Sequence, residues 1–171
     1  MDTFFGIPAH PLLVHIPAVL LPLAAIGVVV MALKPAWHHR YRWVVLALGF
    51  AGALGTVLAA EAGESLQERI VAKEGVEAAR GWSDHAEAGE TARLFGIIFF
   101  IVLAAFVLVP WYLERRRSQN RPLTLPKFVT PALVVLVLAA SAGTVVTVIQ
   151  AGHSGAKSVW CETMTSPNCE G

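Results

Sequence analysis

Four stretches of about 20 apolar residues, at 12–33, 43–60, 94–113 and 131–151, constrain this 171-residue chain more than any other feature. Each is long enough to cross the hydrocarbon of a bilayer as a helix. In lipid every backbone N–H and C=O must find its partner inside the protein, and a helix meets that demand within one segment. The expected fold is therefore all-α: an integral membrane, four-helix antiparallel bundle. The spans take up about half of the sequence and the connections are short, so residues 1–171 read as a single four-span membrane domain with no separate soluble one.

Charge sets the expected orientation. Lys34, Arg40 and Arg42 lie between spans one and two. Arg115, Arg116, Arg117, Arg121 and Lys127 lie between spans three and four. Glu114 is the only one of the 12 carboxylates in either connection. Short loops rich in Lys and Arg stay in the cytoplasm, which sends both termini and the 2–3 connection outside. Trp37, Tyr41, Trp43, Trp111 and Tyr112 suit the inner membrane boundary, and Phe4, Phe5, Trp82 and Trp160 the outer one. The expected location is a bacterial inner membrane, multi-pass, N-out and C-out. No basic region precedes the first span and no small-residue cleavage site follows it, so no cleaved signal peptide is expected. The basic residues are accounted for by topology, which leaves no stripe for nucleic acid. No dinucleotide glycine pattern, phosphate loop or nucleophile elbow is present.

Local signals refine the helices. Pro11 suits a helix start, while Pro17 and Pro22 fall inside the first span and should kink it. Ala51, Gly55, Ala59 and Gly63 recur every four residues, a small-residue face that suits close packing on another helix and, on a different stretch, a flat groove for a porphyrin. Beyond Ala60 the sequence turns polar but stays helix-favouring, to a stop at Gly75 or Gly81. Asp84 to Glu87 has the spacing of a capping box that starts helix three. Helices two and three should thus extend as an outer hairpin. Cys161 and Cys169 lie in the outer tail, where an oxidising exterior favours a disulfide between them.

Four of the six histidines gather at the outer end: His10 and His15 open span one, His85 precedes span three, and His153 follows span four between Gly152 and Gly155. Ionisable groups at a membrane bundle mark a functional site, and histidine is the commonest metal ligand and a haem axial ligand. Straight-helix arithmetic puts His10 and His153 about 18 Å above the midplane, His15 about 7–8 Å deeper and His85 about 10 Å higher. That spread suits haem, whose ligands come from separated helices, better than one compact ion. Haem b, one or two, is the leading cofactor, with His15–His153 and His10–His85 as pairings. The alternative is a non-haem copper, zinc or iron centre using His10, His15, His85 and His153 with Glu61. Arg80, Arg93 and Lys157 are candidates for haem propionates. Asp84 reads as a helix cap, and His38 and His39 as solvated or lipid-facing side chains of the basic loop.

The segments His10-Pro-Leu-Leu-Val-His15-Ile-Pro17 and Gly152-His-Ser-Gly-Ala-Lys-Ser-Val-Trp160 resemble those of a large family of bacterial four-span membrane proteins of unknown function. The resemblance covers nearly the whole chain. Some relatives are joined to cytochrome-like or rubredoxin-like modules, which implies a redox setting. The expected function is a b-type haem protein moving electrons at the outer membrane face, with quinone, an outer redox protein or respiratory-complex subunits as partners alongside membrane lipid. It would be an electron-transfer protein or subunit more than a stand-alone enzyme. A non-haem metal protein and a cofactor-free accessory subunit are the competing readings.

Overall fold

The computed structural model describes residues 3, 4, 6–80, 82–121 and 123–163. Thr3–Phe4 pairs antiparallel with Ile7–Pro8 around Gly6, whose φ of +82° suits a residue without Cβ. Six helices follow: α1 (Ala9–Leu13), α2 (His15–Leu33), α3 (Pro35–Glu74), α4 (Val76–Arg80), α5 (Ser83–Ser118) and α6 (Val129–Thr163). Helix α2 packs on α3, α3 on α5, α5 on α6, and α6 back on α2. The four long helices thus close a ring, and α1 with α2, α3, α5 and α6 supply four membrane-length apolar segments.

The first span is irregular at Val14, which keeps helical angles (φ −62°, ψ −22°) between α1 and α2. Pro17 has no N–H for the carbonyl of Leu13, and its ring crowds that turn. Helix α1 accordingly ends at Leu13 and α2 begins at His15. The bonds Val14 N–H to His10 O and Ala18 N–H to Val14 O carry the chain across that turn. Of the two prolines expected to kink the span, Pro22 lies inside the continuous α2, while the irregular turn at Val14, three residues before Pro17, leaves His10 on the short α1.

The core lies midway along the ring, where Leu21, Val28, Phe99, Leu103, Val107 and Val137 are fully buried. Thr144 donates to the carbonyl of Phe95 at 2.8 Å, tying α6 to α5. Outward faces carry Leu23, Ile26, Phe50, Leu54, Ile101, Val135 and Ile149, all exposed. A ring with an apolar outside is what a lipid solvent requires. The small-residue face of α3 is filled by packing. A Cβ on Gly55 would stand 2.6 Å from Ile16 Cγ2, and one on Gly52 would stand 2.7 Å from Leu21 Cδ2. On that face Gly55 packs against Ile16, and Gly63 meets the His10 ring.

The helices outrun the apolar stretches. Helix α3 has 40 residues, about 60 Å of helix against about 30 Å of hydrocarbon. With α4 and the start of α5 it forms the expected hairpin beyond one end of the ring. Gly75 stops α3 at φ +89°. The capping box does not form: α5 starts at Ser83, Trp82 takes the cap position, and Asp84 lies inside the first turn. The Ser83 hydroxyl donates to Arg80 O instead. Cys169 and the Cys161 side chain lie outside the described residues, and so does their pairing.

Candidate functional site

Two of the four singled-out histidines meet. The Nε2 atoms of His10 on α1 and His85 on α5 are 3.5 Å apart. Their rings are edge-to-face with centroids 5.7 Å apart. The straight-helix height of His85 was too great because the packed stretch of α5, from Ala92 to Val107, lies nearer the helix start than the middle of its apolar run. Both rings are half-buried.

Each ring is held from behind by the same device. His10 Nδ1 lies 2.7 Å from the carbonyl oxygen of Ala59 on α3. His85 Nδ1 lies 3.1 Å from the carbonyl oxygen of Ala151 on α6, and 3.2 Å from Ser154 Oγ. A carbonyl oxygen only accepts, so Nδ1 carries the hydrogen in both rings. The Ser154 hydroxyl donates to Ala151 O at 3.0 Å, which turns its lone pair toward His85. Neutral rings therefore present two Nε2 lone pairs to each other. Unbridged, these repel, and a cation or proton between them turns the repulsion into attraction.

The seats are glycines. A Cβ on Gly63 would lie 3.0 Å from His10 Nδ1, and one on Gly155 would lie 2.8 Å from His85 Cε1. Trp82 closes over His85 with ring centroids 6.5 Å apart. The site thus draws its nitrogens from α1 and α5 and its walls from α3 and α6. Sequence reasoning marked Ala59 and Gly63 as a small-residue face and Gly155 as a flank of His153 that permits a tight backbone approach. It missed them, with Ala151 and Ser154, as the parts that aim the rings. The fourfold spacing of Ala59 and Gly63, matched by Ala151 and Gly155, was the available signal.

The other candidates stand apart from this pair. His15 is exposed, and its Nδ1 donates to Pro11 O at 2.8 Å one turn back. His153 is exposed, beside a Gly152 with nothing within 4 Å of its would-be Cβ. Glu61 is exposed and sits midway between Ala59 and Gly63 in sequence, so it lies on the opposite side of α3 from His10. Arg80 pairs with Glu77 at 3.0 Å. Arg93 binds Glu90 and approaches Glu64 of α3 at 3.9 Å. Carboxylates thus already engage two of the three propionate candidates, and Lys157 also has an interaction partner. No group of three or more His, Cys, Asp or Glu able to hold a metal lies among the described residues. A metal at this site would take two nitrogens from the described chain and complete its shell elsewhere.

The spacing discriminates between ligand arrangements. Two nitrogens on one tetrahedral ion at about 2.05 Å stand about 3.4 Å apart, and two on opposite sides of it about 4 Å. The 3.5 Å between the Nε2 atoms of His10 and His85 lies close to the first value, while the 5.7 Å between centroids sets the rings nearly head to head.

A family model described as "Predicted membrane protein (DUF2231)" matches residues 6–167. Among curated proteins and among solved structures nothing matches.

Proposed function

The chain belongs to the DUF2231 family of predicted membrane proteins, and on that premise we propose that it is a membrane redox protein holding a transition-metal centre between His10 and His85. The observation that carries this reading is the pair of opposed Nε2 atoms at 3.5 Å, each on a ring whose Nδ1–H is fixed to a backbone carbonyl. Metal-bound histidines characteristically donate their other N–H in this way, which sets the tautomer and raises ligand basicity. A copper or iron ion held there would supply one-electron chemistry, and imidazole suits both. The chain's own part is to aim two nitrogens, screen them with Trp82 and leave the remaining positions open to water or to a donor from a partner. His15, His153 and Glu61 belong to a larger ligand set only if the bundle rearranges around the ion.

Haem b is the second reading. It is supported by the origin of the two rings on separate helices, and by the redox setting that the family resemblance implies. It requires the rings to part to the wider spacing and admit a macrocycle. Electron transfer to quinone or to a respiratory partner belongs to either reading. We further propose that the whole chain is one domain in a bacterial inner membrane, with both termini and the histidine pair outside. The support is the segregation of basic residues to the opposite end.

The test is metal quantification with an oxidised-minus-reduced visible spectrum on the full chain purified in detergent. The expected result is stoichiometric copper or iron, lost in His10→Gln and in His85→Gln and kept in His15→Gln and His153→Gln. A Soret band lost in the same two variants would select haem. Unchanged metal in the His10→Gln/His85→Gln double variant would remove the pair from consideration.

A further inference from the structure

The lone pairs of His10 and His85 lie nearly on one line. In an imidazole the Nε2 lone pair points away from the ring centre, along the line from the centroid through the nitrogen. The two centroids are 5.7 Å apart, which is the 3.5 Å gap between the Nε2 atoms plus almost the full radius of each five-membered ring. Centroid, nitrogen, nitrogen and centroid are therefore close to collinear, and both lone pairs aim at the middle of the gap. The rings are not free to turn from it. Each Nδ1–H is tied to a carbonyl, that of Ala59 at 2.7 Å and that of Ala151 at 3.1 Å.

This direction sorts the ions that imidazole can bind. A tetrahedral ion sits off the line between two of its ligands, so each lone pair would miss it by about 35°. An ion between opposed nitrogens needs the gap to widen by only about half an ångström, with both rings keeping their direction. Square-planar and octahedral ions accept opposed nitrogens, but they require further donors around the equator. Among the described residues no third His, Cys, Asp or Glu joins the pair. A closed-shell monovalent ion of the copper group has neither need, because two nitrogens in line complete its shell.

Charge points the same way. The polar neighbours of the rings are Ala59 O, Ala151 O and Ser154 Oγ, all neutral. The cost of taking an ion out of water grows with the square of its charge. A half-buried pair with no carboxylate among those neighbours thus favours a single positive charge over two. We propose that His10 and His85 form a linear two-coordinate site for cuprous ion, selective against divalent metals. The proposal rests on the metal reading above and narrows it to one ion in one oxidation state.

The experiment is an anaerobic competition on the full chain in detergent. Cu(I) is held by a chromogenic chelator, Ag(I) serves as a redox-inert probe, and Zn(II) is the divalent rival. X-ray absorption of the copper-loaded protein then counts the neighbours of the ion. The Cys161→Ser/Cys169→Ser form is measured alongside, since thiols also bind cuprous ion. The expected result is one Cu(I) or Ag(I) per chain in both forms, held about a hundredfold tighter than Zn(II), with two nitrogen neighbours and no sulfur. His10→Gln and His85→Gln should each weaken Cu(I) about a hundredfold, and His15→Gln should leave it unchanged. If either of the first two variants fails to fold, X-ray absorption of the unaltered chain decides. Zn(II) held as tightly as Cu(I), sulfur neighbours, loss in His15→Gln, or unchanged Cu(I) in His10→Gln and His85→Gln would overturn the cuprous site. Stoichiometric iron or four-coordinate copper, lost in those same two variants, would overturn it and leave the wider metal reading standing. Failure of Cu(I), iron and zinc alike to bind would remove both.

Discussion

Gly155 and Gly152 sit three residues apart on α6 and should respond to alanine with opposite signs. At Gly155 a Cβ would press on the His85 ring at 2.8 Å, and that ring is tied to Ala151 O. The ring must tilt, which either breaks the Nδ1–H bond or draws Nε2 away from His10. Gly155→Ala should therefore weaken metal binding and cost about 1–3 kcal/mol of stability. Gly152 meets nothing within 4 Å, so Gly152→Ala should leave binding alone and stabilise the helix by about 0.5–1 kcal/mol. Metal titration and thermal melting of the two variants check both signs. At this scale the sequence was informative about residue type and poor about direction. It placed His10, His15, His85 and His153 at one end, and whether a ring points into the ring of helices or away from it depends on angle, which spacing alone does not reveal.

Among the elements, α1 is the one whose position depends most on a single residue. Pro17 removes one hydrogen bond from the turn that joins α1 to α2, and His10 reaches Ala59 and His85 from the far side of that turn. Pro17→Ala restores the bond to the Leu13 carbonyl, tightens that turn and should draw His10 off its seat. The expected outcome is a bundle that still folds but binds metal like His10→Gln, read by metal content and by helical circular dichroism. Helix number, the antiparallel order and the hairpin were legible because apolar length and polar continuation are local properties of sequence. The meeting of His10 with His85 was not. It depends on a kink and on where the packed part of α5 begins, and the buried run from Ala92 to Val107 is defined only by its neighbours. The capping box failed because α5 starts at Ser83, ahead of Asp84, which puts Asp84 inside the first turn.

For the whole molecule, the distribution of charge predicts orientation. A periplasm-active reporter fused after Gly171 should be active, and one inserted in the 119–128 connection should not. Activity in the reverse pattern would put the histidine pair on the cytoplasmic side and leave its geometry untouched. The pair also has a consequence for how the chain matures in the membrane. Its nitrogens come from the first and fifth helices and its walls from the third and sixth, so no fragment that stops short of α6 contains it. On the proposed reading the complete ion site forms only once the final span is packed, because α6 supplies the Ala151 and Ser154 contacts that aim the His85 ring.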